Sequence, residues 1–430
     1  MMNSLPFDTL IELIRAGAIV STDTRNLSPG SIFFALKGER FDANEFAEEA
    51  KQNGAEYVIT ERKDLQGVTG FLVVDDTLTA LQDLARKYRE TLSIPVIAIA
   101  GSNGKTTTKE LTGAVLNMRH ATAVTKGNLN NHIGVPLTLL SIRPEHEMAV
   151  VEIGANHLEE TAFLCEIARP DYGLVTNNGK DHLEGFGSVE GVKKANAELF
   201  EWLRKSEGTA FVNADDADLM HESGQIKRVT YGTLADADVR GTLRAGSVLV
   251  AVDLDKGGFV QTHLFGKYNL PNILAAVAIG RFFSVPESDI HQALETYRPG
   301  LNRSQISRAG SNTVVFDCYN ANPSSMKASV ESFLDMKAPN SMLILADMLE
   351  MGEYAAEEHV AMVRFLESCG IKEIWLIGPE FSRAAQGTPF RRFSDTKEAG
   401  NYLQQHPIEA ATILLKGSRG FKLEQLFPHE

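Results

Sequence analysis

Ile97-Ala98-Ile99-Ala100-Gly101-Ser102-Asn103-Gly104-Lys105-Thr106-Thr107 decides how this chain is read. An apolar run with the pattern of a strand buried on both faces breaks at a glycine-containing loop, and a helix is expected from Lys105. Glycines at 101 and 104 let backbone N–H groups converge on phosphate oxygens, and the helix N-terminus adds its partial positive charge. Lys105 supplies a point charge to β- and γ-phosphates, and the Thr106 hydroxyl suits Mg²⁺. The general phosphate-loop pattern asks for its first glycine five residues ahead of Gly104, where Ile99 stands. An incidental strand-turn-helix is the alternative to this glycine-poor variant. The GKT sequence behind an apolar strand favours a nucleotide loop, so Gly101, Ser102, Asn103, Gly104, Lys105, Thr106 and Thr107 are the expected ATP contacts.

Outward from this loop the pattern repeats. Val96–Ala100, Met148–Ile153, Tyr172–Thr176 and Thr209–Asn213 read as buried strands, each followed by a helix-compatible segment. That alternation predicts a mainly parallel sheet. Alternating segments in 238–264 read as antiparallel, an appendage to the same domain. Ser93-Ile94-Pro95 and Arg298-Pro299-Gly300 punctuate the chain on either side. Before the first break, Ser31–Leu36, Tyr57–Thr60 and Gly70–Val74 read as short strands, and Leu78–Glu90 as a helix. Beyond the second, Thr313–Asp317, Ser341–Ala346, Glu373–Gly378 and Thr412–Lys416 alternate with helices, without a GxGxxG dinucleotide loop. The expected fold is α/β in three domains. These are a small N-terminal α/β domain over 1–88, a central phosphate-loop domain over 89–298 and a C-terminal Rossmann-like sheet over 299–430.

Composition narrows the function classes. A chain of 430 residues exceeds one ordinary core. Its 42 lysines and arginines against 56 acids, a formal net charge of -14, disfavour nucleic acid and anionic membrane surfaces as partners. Phosphates must then be held by backbone donors and a few placed cations. Cys165, Cys318 and Cys369 form no CxxC pair, which fits a reducing cytosol better than a disulfide framework or a cysteine zinc site. Met1 to Asp8 shows no basic region followed by an apolar core, and no apolar run approaches spanning length, so a cytoplasmic protein is expected.

Further segments carry a resemblance. Lys126-Gly127-Asn128-Leu129-Asn130-Asn131 precedes Ile133-Gly134-Val135-Pro136-Leu137-Thr138. Glu152-Ile153-Gly154-Ala155-Asn156-His157 and Asn177-Asn178-Gly179-Lys180-Asp181-His182-Leu183-Glu184 follow. Asp317-Cys318-Tyr319-Asn320-Ala321-Asn322-Pro323, Asp347-Met348-Leu349-Glu350-Met351-Gly352 and Lys416-Gly417-Ser418-Arg419-Gly420 close the series. Together with the GxNGKTT loop these resemble, in order and over essentially the whole chain, the Mur ligase family. The last three segments are similar to the branch that adds D-alanyl-D-alanine. The resemblance implies a peptide ligase of peptidoglycan precursor synthesis. It would use ATP and Mg²⁺ to join D-alanyl-D-alanine to UDP-N-acetylmuramoyl-tripeptide through an acyl phosphate, acting as a monomer.

Activating a carboxylate with ATP requires cations that neutralise the meeting oxygens. Lys105 and Thr106 fit that need. Glu152, at the carboxyl edge of the sheet, suits a hard Mg²⁺ ion, although an acid capping a helix is the plainer account. The resemblance adds His182 as a second metal contact and Arg303 as an arginine finger to the γ-phosphate when domains close. A satisfied loop histidine and a solvated linker arginine are the respective alternatives. Asn269 and Asn272 look like the family's adenine-contacting asparagines, although N-capping accounts for one of them. The resemblance gives Asp317 to the ATP ribose, and Tyr319, Asn320, Asn322 and Lys416 to the nucleotide, the dipeptide or the substrate's anionic end. Asn128, Asn130 and Asn131 fall in its substrate-binding loop, and Thr24, Arg25 and Lys37 in its uridine-nucleotide clamp. Asp347 and Glu350 are candidates to orient the dipeptide ammonium, and helix-start acids explain them equally well.

One position departs from the family, whose members carry a lysine that reacts with CO₂ to give a carbamate bridging the metals. Lys193-Lys194-Ala195-Asn196-Ala197-Glu198-Leu199-Phe200 puts Asn196 in that frame. Lys194 lies roughly 200° around a helix from it, whereas Lys193 shares its face one turn back. Either Lys193 substitutes, or the metal is held differently, or activity is reduced. Two other readings differ in class. A sister ligase adding the third amino acid calls for an Asp-Asn-Pro-Arg type segment, which is absent. A non-catalytic, nucleotide-binding paralogue draws support only from Asn196.

Overall fold

The structure, a computed structural model, describes residues 6–38, 41–300 and 302–427. The first five residues of the Met1–Asp8 segment read for an export signal therefore lie outside the described residues. Three sheets follow one another along the chain. The first has four parallel strands in sequential order, Val20–Ser21, Ile32–Phe34, Tyr57–Thr60 and Phe71–Val73. Its helix, Thr77–Glu90, begins at Asp76 and buries Leu81, Leu84, Ala85 and Tyr88. The expected boundary at 88 falls in the last turn of this helix, which is fastened to the next sheet's layer. Tyr88 Oη donates to Ile142 O at 2.7 Å. The buried Arg89 guanidinium donates to Ala168 O, Leu92 O and Arg169 O at 2.9–3.0 Å and to Asp171 at 3.0 Å.

The central sheet has nine strands. Val96–Ala100 is wholly buried and pairs in parallel with Met148–Glu152 on one side and Tyr172–Val175 on the other. Such a strand has no polar face, which is why its sequence is a continuous apolar run. Thr209–Asn213 and Lys227–Gly232 continue the parallel order. The segment expected as an appendage is part of this sheet. Val239–Leu243 pairs in parallel with Lys227–Gly232, and only then do Leu249–Leu254 and Gly258–Phe265 turn antiparallel. Helices Lys105–Leu116 and Leu270–Phe282 pack against each other on one face. The second is apolar nearly all round because it is buried nearly all round.

The third sheet has six strands. Asn312–Asp317, Thr412–Lys416, Ser341–Ala346, Glu373–Ile377 and Arg391–Phe393 are parallel, and Gln305–Ala309 is an antiparallel edge. Helix Pro323–Asp335 opens with a capping box. Asn322 Oδ1 accepts from Ser325 N, Ser325 Oγ faces Asn322 N, and Pro323 stands where a backbone donor would have no partner. Among the described residues no helix is long and apolar enough to cross a membrane.

Candidate active site

The carboxyl ends of the central and third sheets face each other across a cavity of about 500 Å³, the usual location for ligands of open α/β sheets. Gly104, the residue before helix Lys105–Leu116, has φ +87°. A Cβ there would stand 2.6 Å from Asn272 Oδ1, so a side chain is excluded both by conformation and by space. Lys105 folds back over the loop, donating to Gly101 O and, at 3.1 Å, to Ser102 O. Its ammonium is thus held by backbone carbonyls at the cavity wall, where a phosphate would take it over. Asn103 N donates to Asn177 Oδ1 and Gly179 N to Ser102 Oγ, joining the loop to the strand-end segment that carries His182.

Glu152 ends its strand buried beneath the loop. Thr106 Oγ1 lies 3.1 Å and Asn130 Nδ2 2.8 Å from Oε1, whereas Oε2 is buried without a hydrogen bond. A carboxylate with one oxygen bonded to a hydroxyl and the other free of hydrogen bonds fits a hard cation that keeps most of its waters. Among the described residues no three His, Cys, Asp or Glu side chains gather into a metal cage. That is compatible with Mg²⁺, which takes one or two protein ligands and leaves the rest to phosphates and water. His182 lines the cavity with Nδ1 2.8 Å from Glu350 Oε2, and this partner holds the Glu350 carboxyl below its usual range. Asn269 and Asn272 are buried in one network: Asn272 Nδ2 donates to Asn269 Oδ1, and Asn269 Nδ2 to Phe265 O and Ser304 Oγ.

The third sheet supplies the opposite wall. Arg303 reaches the cavity with its guanidinium 3.7 Å from the centre of the Tyr319 ring. Lys416, nearly buried, pairs with Asp317 Oδ2 at 3.2 Å and donates to Asn320 O at 2.8 Å. Asn322 has two tasks, because its Oδ1 caps a helix while its Nδ2 donates to Asn103 Oδ1 at 2.8 Å. Further contacts cross the gap, from Lys180 Nζ to Glu358, Lys180 N to Ser324 Oγ and Tyr354 Oη to Gly187 O.

Nearly all the expected residues therefore meet in one cavity. Gly101 lies just behind its wall. Asn128, Asn130 and Asn131 line it, although Asn131 Oδ1 also accepts from Ile133 N and Gly134 N. Asp347 is not brought to the cavity. It is buried away from the cavity, its carboxylate accepts from Glu380 N and Phe381 N at the start of a helix, and burial raises its pKa. Its carboxylate is not presented to the cavity, and Glu350 is engaged by His182. Thr24, Arg25 and Lys37 are not brought to this cavity. Arg25 is exposed and pairs with Asp23 at 2.8 Å, and Lys37 is exposed 3.9 Å from Asp42. Lys193 is also turned away, 2.7 Å from Asp218, whose hydrogen bond raises the lysine pKa, while Asn196 Nδ2 donates to Asn178 Oδ1 at 2.9 Å.

Two residues were not anticipated. Tyr268 is half-buried in the cavity wall, its hydroxyl between Ser304 Oγ and Asp317 Oδ2. Lys109 stands one helical turn after Lys105 and is 1% exposed. A lysine at that spacing on a helix otherwise packed against apolar residues was the signal available for it.

A phosphate loop on a parallel sheet, facing a second α/β sheet across a shared cavity, defines a nucleotide-binding enzyme of the phosphate-loop class. Three family models match in succession: "Mur ligase family, catalytic domain" over 18–91, "Mur ligase middle domain" over 99–280 and "Mur ligase, glutamate ligase domain" over 302–419. The chain is 35% identical to the UDP-N-acetylmuramoyl-tripeptide–D-alanyl-D-alanine ligase of Escherichia coli, covering 95% of this chain and 92% of that one. It is 32% identical to the Bacillus subtilis enzyme of the same name, with the same coverage. Crystal structure I of MurF from Acinetobacter baumannii matches with a TM-score of 0.86 at 32% identity over 97% of both chains. The MurF ligase of Thermotoga maritima in complex with ADP matches with a TM-score of 0.83 at 26% identity, over 96% of this chain and 97% of that one. The chain belongs to the Mur ligase family.

Proposed function

We propose that this chain is an ATP-dependent peptide ligase that joins D-alanyl-D-alanine to UDP-N-acetylmuramoyl-tripeptide in peptidoglycan precursor synthesis. One observation carries the reading most directly: the Tyr319–Asn322 segment stands opposite the Gly101–Thr107 loop, so phosphate and acyl acceptor have facing walls. The tripeptide carboxylate attacks the γ-phosphorus of ATP, and ADP leaves. The dipeptide amine then attacks the acyl carbon of the acyl phosphate, loses a proton, and phosphate departs. Lys105 releases the carbonyls of its own loop to neutralise the transferring group, and Arg303, steadied on Tyr319, adds charge from the other side. Thr106 and Glu152 are the residues suited to Mg²⁺, with His182 near enough to the cavity to support a second ion. A bound Mg²⁺ held by these residues would supply charge neutralisation to the transferring phosphoryl group. Asn269 and Asn272 are assigned to adenine, and Asp317 to the ribose. The uridine-nucleotide clamp is assigned to Thr24, Arg25 and Lys37 in the first sheet's domain. The enzyme is proposed to act in the cytoplasm as a monomer.

The test is phosphate release with each substrate omitted in turn, with product mass determined. Release that requires ATP, the UDP-linked tripeptide and D-alanyl-D-alanine together is expected. Release that proceeds without the dipeptide, or with a UDP-linked dipeptide and a free diamino acid instead, would overturn the reading.

A further inference from the structure

Lys109 is the strongest unexplained feature of the site. Its side chain is 1% exposed, yet it carries an ammonium that costs free energy to bury unless paired. Three partners surround it: Gly127 O at 2.9 Å, Glu152 Oε2 at 3.5 Å and Glu110 Oε1 at 3.9 Å. Glu152 is equally buried, and Lys109 is its ion-pair partner among the described residues. The oxygen nearest the ammonium is the one without a hydrogen bond. The same ammonium fastens the loop that carries Asn130, which in turn donates to the other oxygen of Glu152.

We propose that Lys109 is a positioning residue. It is a built-in counter-cation that holds Glu152 and the Asn128–Asn131 loop in their working places until Mg²⁺ arrives with the nucleotide. This rests on the ligase reading only in naming Mg²⁺ as the ion that follows. The physical argument is a balance of charges. A buried carboxylate without a cation is strongly unfavourable, so the ligand-free site needs Lys109. Once a divalent cation sits at Glu152 the ammonium becomes redundant as counter-charge, and its repulsion opposes the metal. Removing Lys109 therefore harms the ligand-free protein more than the loaded one. A side chain that merely filled space would affect both states equally.

The experiment is a thermal melting cycle on the full chain, using wild type, Lys109→Met, Glu152→Gln and the double variant. Each is melted alone and with Mg²⁺ plus a non-hydrolysable ATP analogue. Without ligand, Lys109→Met is expected to melt well below wild type, and adding Glu152→Gln to it should restore most of the loss, because no naked charge remains. With ligand, the rise in midpoint for Lys109→Met should be about twice that of wild type. Recovery of folding in the double variant would support the inference even where Lys109→Met alone is insoluble. A double variant no more stable than Lys109→Met, or equal ligand-induced rises, would overturn it. Wild-type phosphate release measured alongside separates the two ideas, since its absence would sink the ligase reading and leave the charge cycle standing.

Discussion

At the scale of single residues, the site is a set of charges held short of their purpose. Lys105 is parked on loop carbonyls and Glu152 has one oxygen without a hydrogen bond, so both await a ligand. Lys105→Ala and Glu152→Ala should each lower turnover at least about a hundredfold, equivalent to about 2.7 kcal/mol of transition-state stabilisation. Circular dichroism should show both folded, and near-normal turnover in either would refute the assignment. Asn196 makes a sharper test. Carbamate formation needs a neutral amine, and Asp218 holds the Lys193 proton more tightly than usual. Lys193→Ala is therefore expected to change turnover little. Asn196→Lys should introduce a bicarbonate dependence and lower the Mg²⁺ requirement, read by titrating both variants with the two ions. An inactive Lys193→Ala rescued by small carboxylates would reverse this view. Lys105 and Glu152 were legible because a phosphate loop and a strand-end acid are local patterns. Asp347 was legible only as a pair of alternatives, because an acid after a strand looks alike in sequence whether it meets a substrate or accepts from a neighbouring helix start. Lys109 escaped because its meaning lies in a carboxylate at the end of a strand far along the chain from its own helix.

Elements were legible in proportion to their burial. Val96–Ala100, Thr209–Asn213, Ser341–Ala346 and Thr412–Lys416 fall where their apolar runs place them. Thr122–Val124, Lys227–Gly232 and Arg391–Phe393 were not anticipated, being short or opening on exposed basic residues. Thr122–Val124 and Arg391–Phe393 are edge strands, which lack the pattern that two-sided burial imposes, whereas Lys227–Gly232 is interior to its sheet but exposes its first two residues. Helix starts were readable too, but their second uses were not. Asn322 is legible as a cap before proline, whereas its amide bond to Asn103 depends on where two sheets meet. Substitution separates the two tasks. Asn322→Ala loses both and should cost about 1 kcal/mol of stability through the cap. Asn322→Asp keeps the acceptor for Ser325 N but has no donor for Asn103. It should melt near wild type while kcat/KM falls about tenfold, the equivalent of about 1.4 kcal/mol. Equal activities for Asn322→Asp and wild type would show that the bond across the cavity contributes nothing to turnover.

At the scale of the whole molecule, the two seams between sheets are built differently. The seam between the second and third sheets combines partly exposed, individually weak polar contacts at the cavity mouth with an apolar cluster in which Leu183, Phe186 and Phe265 join Met326, Met348 and Met351. The seam between the first and second is a shared apolar core around helix Thr77–Glu90, closed by the buried Arg89 guanidinium with its four oxygen partners. Both seams hold apolar contacts, but only the one between the first two sheets is closed by a buried guanidinium. The consequence is a lopsided digestion pattern. Pro299 blocks tryptic cleavage after Arg298, so Arg303, followed by Ser304, is the tryptic site of the connection to the third sheet, whereas residues 91–95 between the first two sheets contain neither lysine nor arginine. Brief trypsin treatment should yield two large fragments cut after Arg303, not three of comparable size, and saturation with Mg²⁺ and an ATP analogue should slow that cut, because Arg303 lines the cavity. Early cleavage between the first and second sheets, seen by mass spectrometry of the fragments, would mean that Arg89 does not weld them.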